Sequence, residues 1–261
     1  VTALLEVRDA SVRIGGATLL ERADLTLHAG ELVAVVGPNG AGKTTLARAA
    51  AGLQRLTGGS VRWAGEDVRH IGGRRLARLR AFVPQRPRVP EGVRVHEAVA
   101  IGRAPHLRPL QRATRADHAA VERAMARAGI AEFAERRLTT LSGGELQRVQ
   151  IAVALAQEAP VLMADEPTAH LDLGAATAMA RLLRGLAADG LGVALVAHDL
   201  ALAAAVADRV VVLADGRSVA SGPPGEVLDA ERLAAVWRVD AALQADEAGR
   251  TALRVDWLGG S

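Results

Sequence analysis

Eight residues, Gly37-Pro38-Asn39-Gly40-Ala41-Gly42-Lys43-Thr44, follow directly on the apolar run Leu32-Val33-Ala34-Val35-Val36. No other stretch restricts the fold as strongly. A short, continuous apolar run reads as a strand buried on both faces. The pattern G-x-x-x-x-G-K-[ST] between such a strand and a helix reads as a cradle for phosphate. Its glycines let backbone N–H groups converge on phosphate oxygens, and the helix N-terminus adds partial positive charge. Lys43 can reach the outer phosphates and the Thr44 hydroxyl can ligate Mg²⁺. Asn39, Gly40, Ala41, Gly42 and Thr45 complete the set expected to touch the nucleotide, and Lys43 is the only lysine in the chain.

Buried-strand runs recur at Val161 to Ala164, Val193 to Ala197 and Val210 to Leu213, with helical patterns around 43–53, 143–157 and 174–188 between them. Such alternation predicts an α/β fold, a P-loop NTPase core with a mainly parallel sheet. Before the cradle, Leu5-Glu6-Val7-Arg8, Val12-Arg13-Ile14 and Leu25-Thr26-Leu27 alternate apolar and polar residues around the Gly15-Gly16 turn. They predict an N-terminal antiparallel β subdomain. The stretch 86–157 opens on a Pro-rich turn (Pro84, Pro87, Pro90) and shows helical patterns without a buried strand, with Pro105 and Pro109 marking a loop. It reads as an inserted helical subdomain. The expected organisation is a core of 1–85 and 158–222, the insertion 86–157, and a C-terminal extension 223–261 with a helix near 224–237 and a hairpin around Ala252-Leu253-Arg254-Val255.

Composition narrows the setting. With 261 residues, half of them hydrophobic, the chain has material for a sizeable core. Its most apolar stretches, such as 200–214, are broken by Asp208 and Arg209, so no membrane span is expected. Neither is a secretory leader, because Val1-Thr2-Ala3 does not open a basic region followed by an apolar one. Without cysteine, a disulfide framework and a thiolate metal site are excluded. All but one of the 32 basic residues are arginine, which raises the calculated pI to 10.6 on a net charge of only +3. The densest run, Arg69 to Arg80, reads as a solvated helix face, with contact to lipid headgroups or to the rim of a partner as the alternative. Aromatics are 2% of the residues, so no stacking platform for nucleic acid is expected.

Asp165 and Glu166 end the apolar run Val161-Leu162-Met163-Ala164. Beside a phosphate cradle, Asp165 is placed for Mg²⁺ and Glu166 for the attacking water. Without the cradle, two acids before Pro167 read equally as a solvated turn. His198 ends another strand run. It can hydrogen-bond a γ-phosphate or hold the water, though by itself it reads as a loop or helix-capping histidine.

Leu141-Ser142-Gly143-Gly144-Glu145 lies between the cradle and the carboxylates and opens a helix with Leu146, Val149, Val153 and Ala156 on one face. In that order it resembles the signature motif of ATP-binding-cassette (ABC) proteins. Gln85 after Ala81-Phe82-Val83-Pro84 resembles the family's Q-loop glutamine, Ala169-His170-Leu171-Asp172 its D-loop, and His198 its switch histidine. The resemblance spans roughly residues 4–237. It implies ATP and Mg²⁺ as ligands and a catalytic set of Lys43, Gln85, Glu166 and His198, with Thr44, Gln85 and Asp165 toward the metal. It also implies a head-to-tail dimer, in which each ATP lies between the cradle of one copy and Ser142, Gly143 and Gly144 of the other, with Asp172 nearby. A groove beside the helical subdomain would take a coupling helix from each of two transmembrane permease subunits, and a substrate-binding protein would act indirectly. The chain would sit peripherally at the cytoplasmic face of the bacterial inner membrane.

Gly102-Arg103-Ala104-Pro105-His106 looks like the Gly-Arg-x-Pro-His stretch of importers for iron–siderophore complexes, haem or cobalamin. Leu155-Ala156-Gln157 and Pro167-Thr168-Ala169-His170-Leu171-Asp172 are similar to that group too. Three positions depart from the family pattern: Glu145 replaces a common Gln, Ala164 thins the apolar run, and aliphatic Ile14 stands where an aromatic usually stacks on adenine. The alternatives are an importer subunit for another cargo, or a soluble ABC ATPase acting on nucleic acid or ribosomes. The second would call for a second cassette, a coiled-coil insertion or a basic stacking face, and the sequence has none of these. Nucleic acid is accordingly not an expected partner.

Overall fold

The computed structural model describes residues 2–85, 90–108, 110–245 and 251–256. Pro87 and Pro109, two of the expected turn markers, lie outside them. In chain order the first half comprises β1 (Leu5–Ile14), β2 (Ala17–Leu27), β3 (Leu32–Val36), α1 (Lys43–Ala50), β4 (Gly58–Trp63), β5 (Glu66–Asp67), α2 (Gly73–Leu79) and β6 (Arg80–Val83). Three longer-range helices follow, α3 (Val95–Ile101), α4 (Arg115–Ala128) and α5 (Gly143–Ala156). The chain then returns through β7 (Val161–Asp165), α6 (Leu173–Ala188), β8 (Gly192–Val196), α7 (Leu200–Val206), β9 (Arg209–Ala214) and β10 (Arg217–Gly222). It closes with α8 (Pro224–Val227), α9 (Ala230–Trp237), β11 (Ala241–Ala245) and β12 (Thr251–Val255).

The central sheet has the order β10-β9-β3-β8-β7-β6, parallel except for the antiparallel β10 edge. Every residue of β3, β7 and β8 is buried, as continuous Val/Leu/Ala runs require when both faces of a sheet are covered. A second, antiparallel sheet, β2-β1-β4-β5, packs over α1. Its Trp63 is almost wholly buried and donates from the indole nitrogen to Ala50 O at 2.9 Å. One apolar cluster lies between the two sheets around α1, and a second covers the opposite face under α6, α7 and the C-terminal elements. The insertion has its own core of Val95, Val99, Val121, Met125, Ile130 and Val149. Among the described residues no helix is long and apolar enough to cross a membrane.

Two local expectations need correction. The Arg-rich helix ends at Leu79, and Arg80 starts β6 with its Nε donating to Ala51 O at 2.7 Å. Burial pushes its guanidinium pKa down, so it is not part of a solvated face. The helix near 224–237 is two helices, because Asp229 accepts from Arg232 N at 2.7 Å and caps a new start.

Candidate nucleotide site

The end of β3, the loop 37–42 and the start of α1 form one wall of a cavity of about 310 Å³. Leu19, Asn39, Gly40, Gly42, Lys43, Thr44, Thr45, Glu166 and His198 line it. Gly42, the residue before α1, has φ 97°, and a Cβ there would lie 2.7 Å from Leu19 O, so only glycine fits. No side chain caps the N-terminus of α1 and no acid lies in its first turn. Those N–H groups therefore face the cavity without a protein acceptor on a side chain, which suits a phosphate.

Lys43 is buried, and its ammonium donates to Gly37 O at 2.8 Å and Pro38 O at 2.9 Å. Burial lowers its pKa, opposed by the carboxylates of Glu166 and Asp165. The adjacent Thr44 hydroxyl donates to Asp165 Oδ1 at 3.1 Å, joining the start of α1 to the end of β7. Asp165 is raised above the ordinary carboxyl range, first by burial and further by Glu166, while the Thr44 hydrogen bond and the Arg48 and Lys43 charges pull it down. An alcohol and a carboxylate side by side are hard oxygen donors of the kind Mg²⁺ takes alongside phosphate oxygens. Among the described residues no cluster of three or more His, Cys, Asp or Glu side chains forms a self-sufficient metal cage.

Glu166 follows Asp165 with φ 51°, in the left-handed region that a side chain of its size rarely adopts. Its N–H still donates to Val196 O at 3.1 Å, which extends the β7–β8 ladder by one residue. The turn swings the buried carboxylate toward β6 and the end of β8. One oxygen accepts from the Gln85 side-chain amide and the other meets His198 Nε2. Three expected residues from three strand ends thus converge.

The signature turn lies elsewhere. Ser142 caps α5: its hydroxyl accepts from Glu145 N at 3.3 Å, and Glu145 Oε2 accepts from Ser142 N at 2.7 Å. The hydrogen bonds to Ser142 hold the Glu145 carboxyl below its ordinary range, and Arg136 adds to this at 3.3 Å. Glu145 therefore serves the cap as well as a glutamine would. Ser142 and Gly143 are exposed, and nothing lies within 4 Å of where a Cβ on Gly143 would stand. Asp172 caps α6 by accepting from Ala175 N at 2.8 Å. Ser142, Gly143, Gly144, Asp172 and the half-exposed Ile14 are not among the residues lining the cavity, and neither are Ala41, Gln85 and Asp165. Leu19 does line it and was not anticipated. Its position depends on how β2 passes the loop, which no local pattern announces.

The family model described as "ABC transporter" matches residues 20–169. The chain belongs to the ABC transporter family. It is 43% identical over 245 residues to the cobalamin import ATP-binding protein BtuD of Halobacterium salinarum, covering 94% of this chain and 61% of that protein. The chain thus spans about six-tenths of the length of that curated relative. It is 48% identical over 216 residues to the hemin import ATP-binding protein HmuV of Streptomyces coelicolor, covering 83% of this chain and 76% of that protein. An inward-facing metal-chelate type ABC transporter, 24% identical, shares the fold with TM-score 0.85 over 98% of both chains.

Proposed function

We propose that this ABC family member is the ATP-hydrolysing subunit of an importer whose cargo is an iron chelate, such as haem or a siderophore complex, or cobalamin. The carrying observation is the Glu166 carboxylate, held between Gln85 and His198 at a cavity whose facing wall is Lys43, Thr44 and an uncapped helix N-terminus. The names of the BtuD and HmuV relatives support the cargo class.

In this reading the β- and γ-phosphates of ATP rest on the N–H groups of residues 40–45. Lys43 leaves the carbonyls of Gly37 and Pro38 to meet them. Thr44 and Asp165 are the residues that would hold Mg²⁺, with Gln85 beside them, and the ion would neutralise charge on the phosphate oxygens. Glu166 acts as general base on water. Each of its oxygens meets one protein partner here and keeps lone-pair capacity to accept from the water as well. His198, which lines the same cavity, would donate to the γ-phosphate.

One copy supplies only half of the contacts such a nucleotide needs. The exposed, capped turn at Ser142, with open space over Gly143, offers the N-terminus of α5 to a second copy. A head-to-tail dimer, joined to two transmembrane permease subunits at the cytoplasmic face of the inner membrane and served indirectly by a substrate-binding protein, completes the assembly.

The test is purification of tagged Glu166→Gln with Mg-ATP from native membranes, followed by reconstitution of the wild-type complex in vesicles. ATP-dependent uptake of haem, a ferric siderophore or cobalamin is the expected result. Retention of soluble nucleic-acid or ribosomal partners with no membrane subunit would overturn the importer reading.

A further inference from the structure

The nucleotide cavity divides its lining residues by task. Six of them fall between Asn39 and Thr45, in the phosphate loop and the first turn of α1, and Glu166 and His198 mark the reactive end. Among the described lining residues, Leu19 alone stands outside these two groups, and no aromatic ring is present. Phosphates and water claim the polar side chains. The sugar and base of a bound nucleotide therefore fall to Leu19 and to the hairpin that carries it.

An irregularity in the β1–β2 ladder puts Leu19 there. Thr18 pairs with Arg13 and Leu20 with Val12, so Leu19 has no residue opposite it and the register shifts at this point. A residue left over in this way bends its strand and re-aims its side chain. The turn between β9 and β10 holds the bulge against the phosphate loop: Gly216 N donates to Ala41 O at 3.2 Å, and Gly216 O accepts from Glu21 N at 2.8 Å. The Leu19 carbonyl stands against Gly42, where a Cβ would come within 2.7 Å of it. Toward the hairpin tip, Ile14 shares the face of Val12, which packs in the cluster around α1, and pairs with the exposed Ala17. Arg13 and Thr18, the polar pair between them, point to the other face. Beyond lies the Gly15-Gly16 turn, with nothing within 4 Å of where a Cβ on either would stand. The surface open to a base is thus aliphatic, with no side-chain donor or acceptor aimed at a base edge.

We propose that the site recognises the triphosphate and is indifferent to the base, so that this chain hydrolyses GTP, CTP and UTP as well as ATP. The inference rests on the ATPase reading above and adds to it the substrate class. A site that hydrogen-bonds a polar group of its substrate rejects the analogue lacking it by about 10⁴-fold, whereas an apolar contact discriminates weakly. Adenine and guanine differ in the polar groups on the ring edge and offer the same fused rings to Leu19 and Ile14. Pyrimidines bury less area there and are held more weakly. The step is the same for all four. The water oxygen bonds to the γ-phosphorus as the bond from that phosphorus to the β–γ bridging oxygen breaks. The water proton passes to Glu166 and from there to solvent, and nucleoside diphosphate and inorganic phosphate leave.

The test is phosphate release by the purified full chain with Mg²⁺ and ATP, GTP, CTP or UTP in turn. Glu166→Gln is run alongside, so that hydrolysis by contaminants is subtracted. The expected result is kcat/KM for GTP within about tenfold of that for ATP, with CTP and UTP hydrolysed at a similar kcat and a higher KM. Leu19→Ala is expected to raise KM for all four by a similar factor, about 2- to 10-fold, and its thermal midpoint checks that it folds. A preference for ATP over GTP greater than about tenfold overturns base indifference and leaves the ATPase reading intact, whichever copy of the chain supplies the donor that reads the base. A Leu19→Ala change that raises KM for ATP and leaves that for GTP unchanged does the same. A wild-type chain that hydrolyses none of the four overturns the ATPase reading and this inference together.

Discussion

The side-chain amide of Gln85 donates to the carboxylate of Glu166, 81 residues further along the chain. This contact connects the end of β6, which leads into the helical insertion, to the acid proposed to activate water. A movement of the insertion that carried Gln85 with it would therefore withdraw one hydrogen-bond donor from the Glu166 carboxylate. His198 approaches the other oxygen from β8, so the acid is shared between two strand ends beside the one that carries it.

Glu166→Gln retains the phosphate cradle and removes the base. ATP binding is expected to persist, while turnover falls by about 10²- to 10⁴-fold. Steady-state hydrolysis alongside a nucleotide-binding titration separates the two. Wild-type turnover would show that water is activated by another group.

The adenine contact distinguishes two aliphatic residues. Ile14 is half exposed at the end of β1, and Leu19 lines the cavity. Ile14→Tyr is expected to lower the ATP dissociation constant about 2- to 10-fold by adding a stacked ring. Leu19→Ala is expected to raise it. If only the Leu19 change has an effect, the purine is covered by β2 and not by the β1 end.

The architecture was legible wherever burial was continuous. The runs at β3, β7, β8 and β9 could be read directly because a strand covered on both faces has no polar alternation to disguise it. β6 was missed: its four residues begin with Arg80, and its pairing with Val161 to Ala164 is what makes it a strand. Arg103 shows the same limit at the level of chemistry. A buried arginine and a surface arginine are the same letter, and the acids that bury it, Asp117 and Glu158, lie 14 and 55 residues away. The residues at the site were named from motif order, but that Gln85 and His198 share the Glu166 carboxylate could be seen only from the contacts.

Gly102 occupies a point where α3 and α5 touch. A Cβ on it would stand 2.9 Å from Ala156 Cβ and press on the Val153 carbonyl. Because backbone cannot swing aside as a flexible side chain can, Gly102→Ala is expected to cost at least about 1–3 kcal/mol. Thermal unfolding checks the size. A midpoint equal to wild type would mean that the two helices slide apart freely.

Asp117 ties its stability contribution to pH. Thr114 donates to its carboxylate from hydroxyl and backbone at 2.7 and 2.8 Å, Arg103 adds a third bond at 3.0 Å, and together they outweigh burial and hold its pKa at about 2. Because the folded-state value is depressed, the carboxylate's stabilisation is fully present above the ordinary Asp range near pH 4 and is lost as pH falls through about 2. Asp117→Ala is therefore expected to lower the urea midpoint strongly at neutral pH, since it also removes one acid from the buried Arg103. Glu158 remains paired with Arg103, so the loss stays short of that for a wholly orphaned buried charge. The gap between wild type and variant should narrow steadily below about pH 4. A gap of constant size from neutral pH to pH 2 would assign the effect to packing of the side chain and not to its charge.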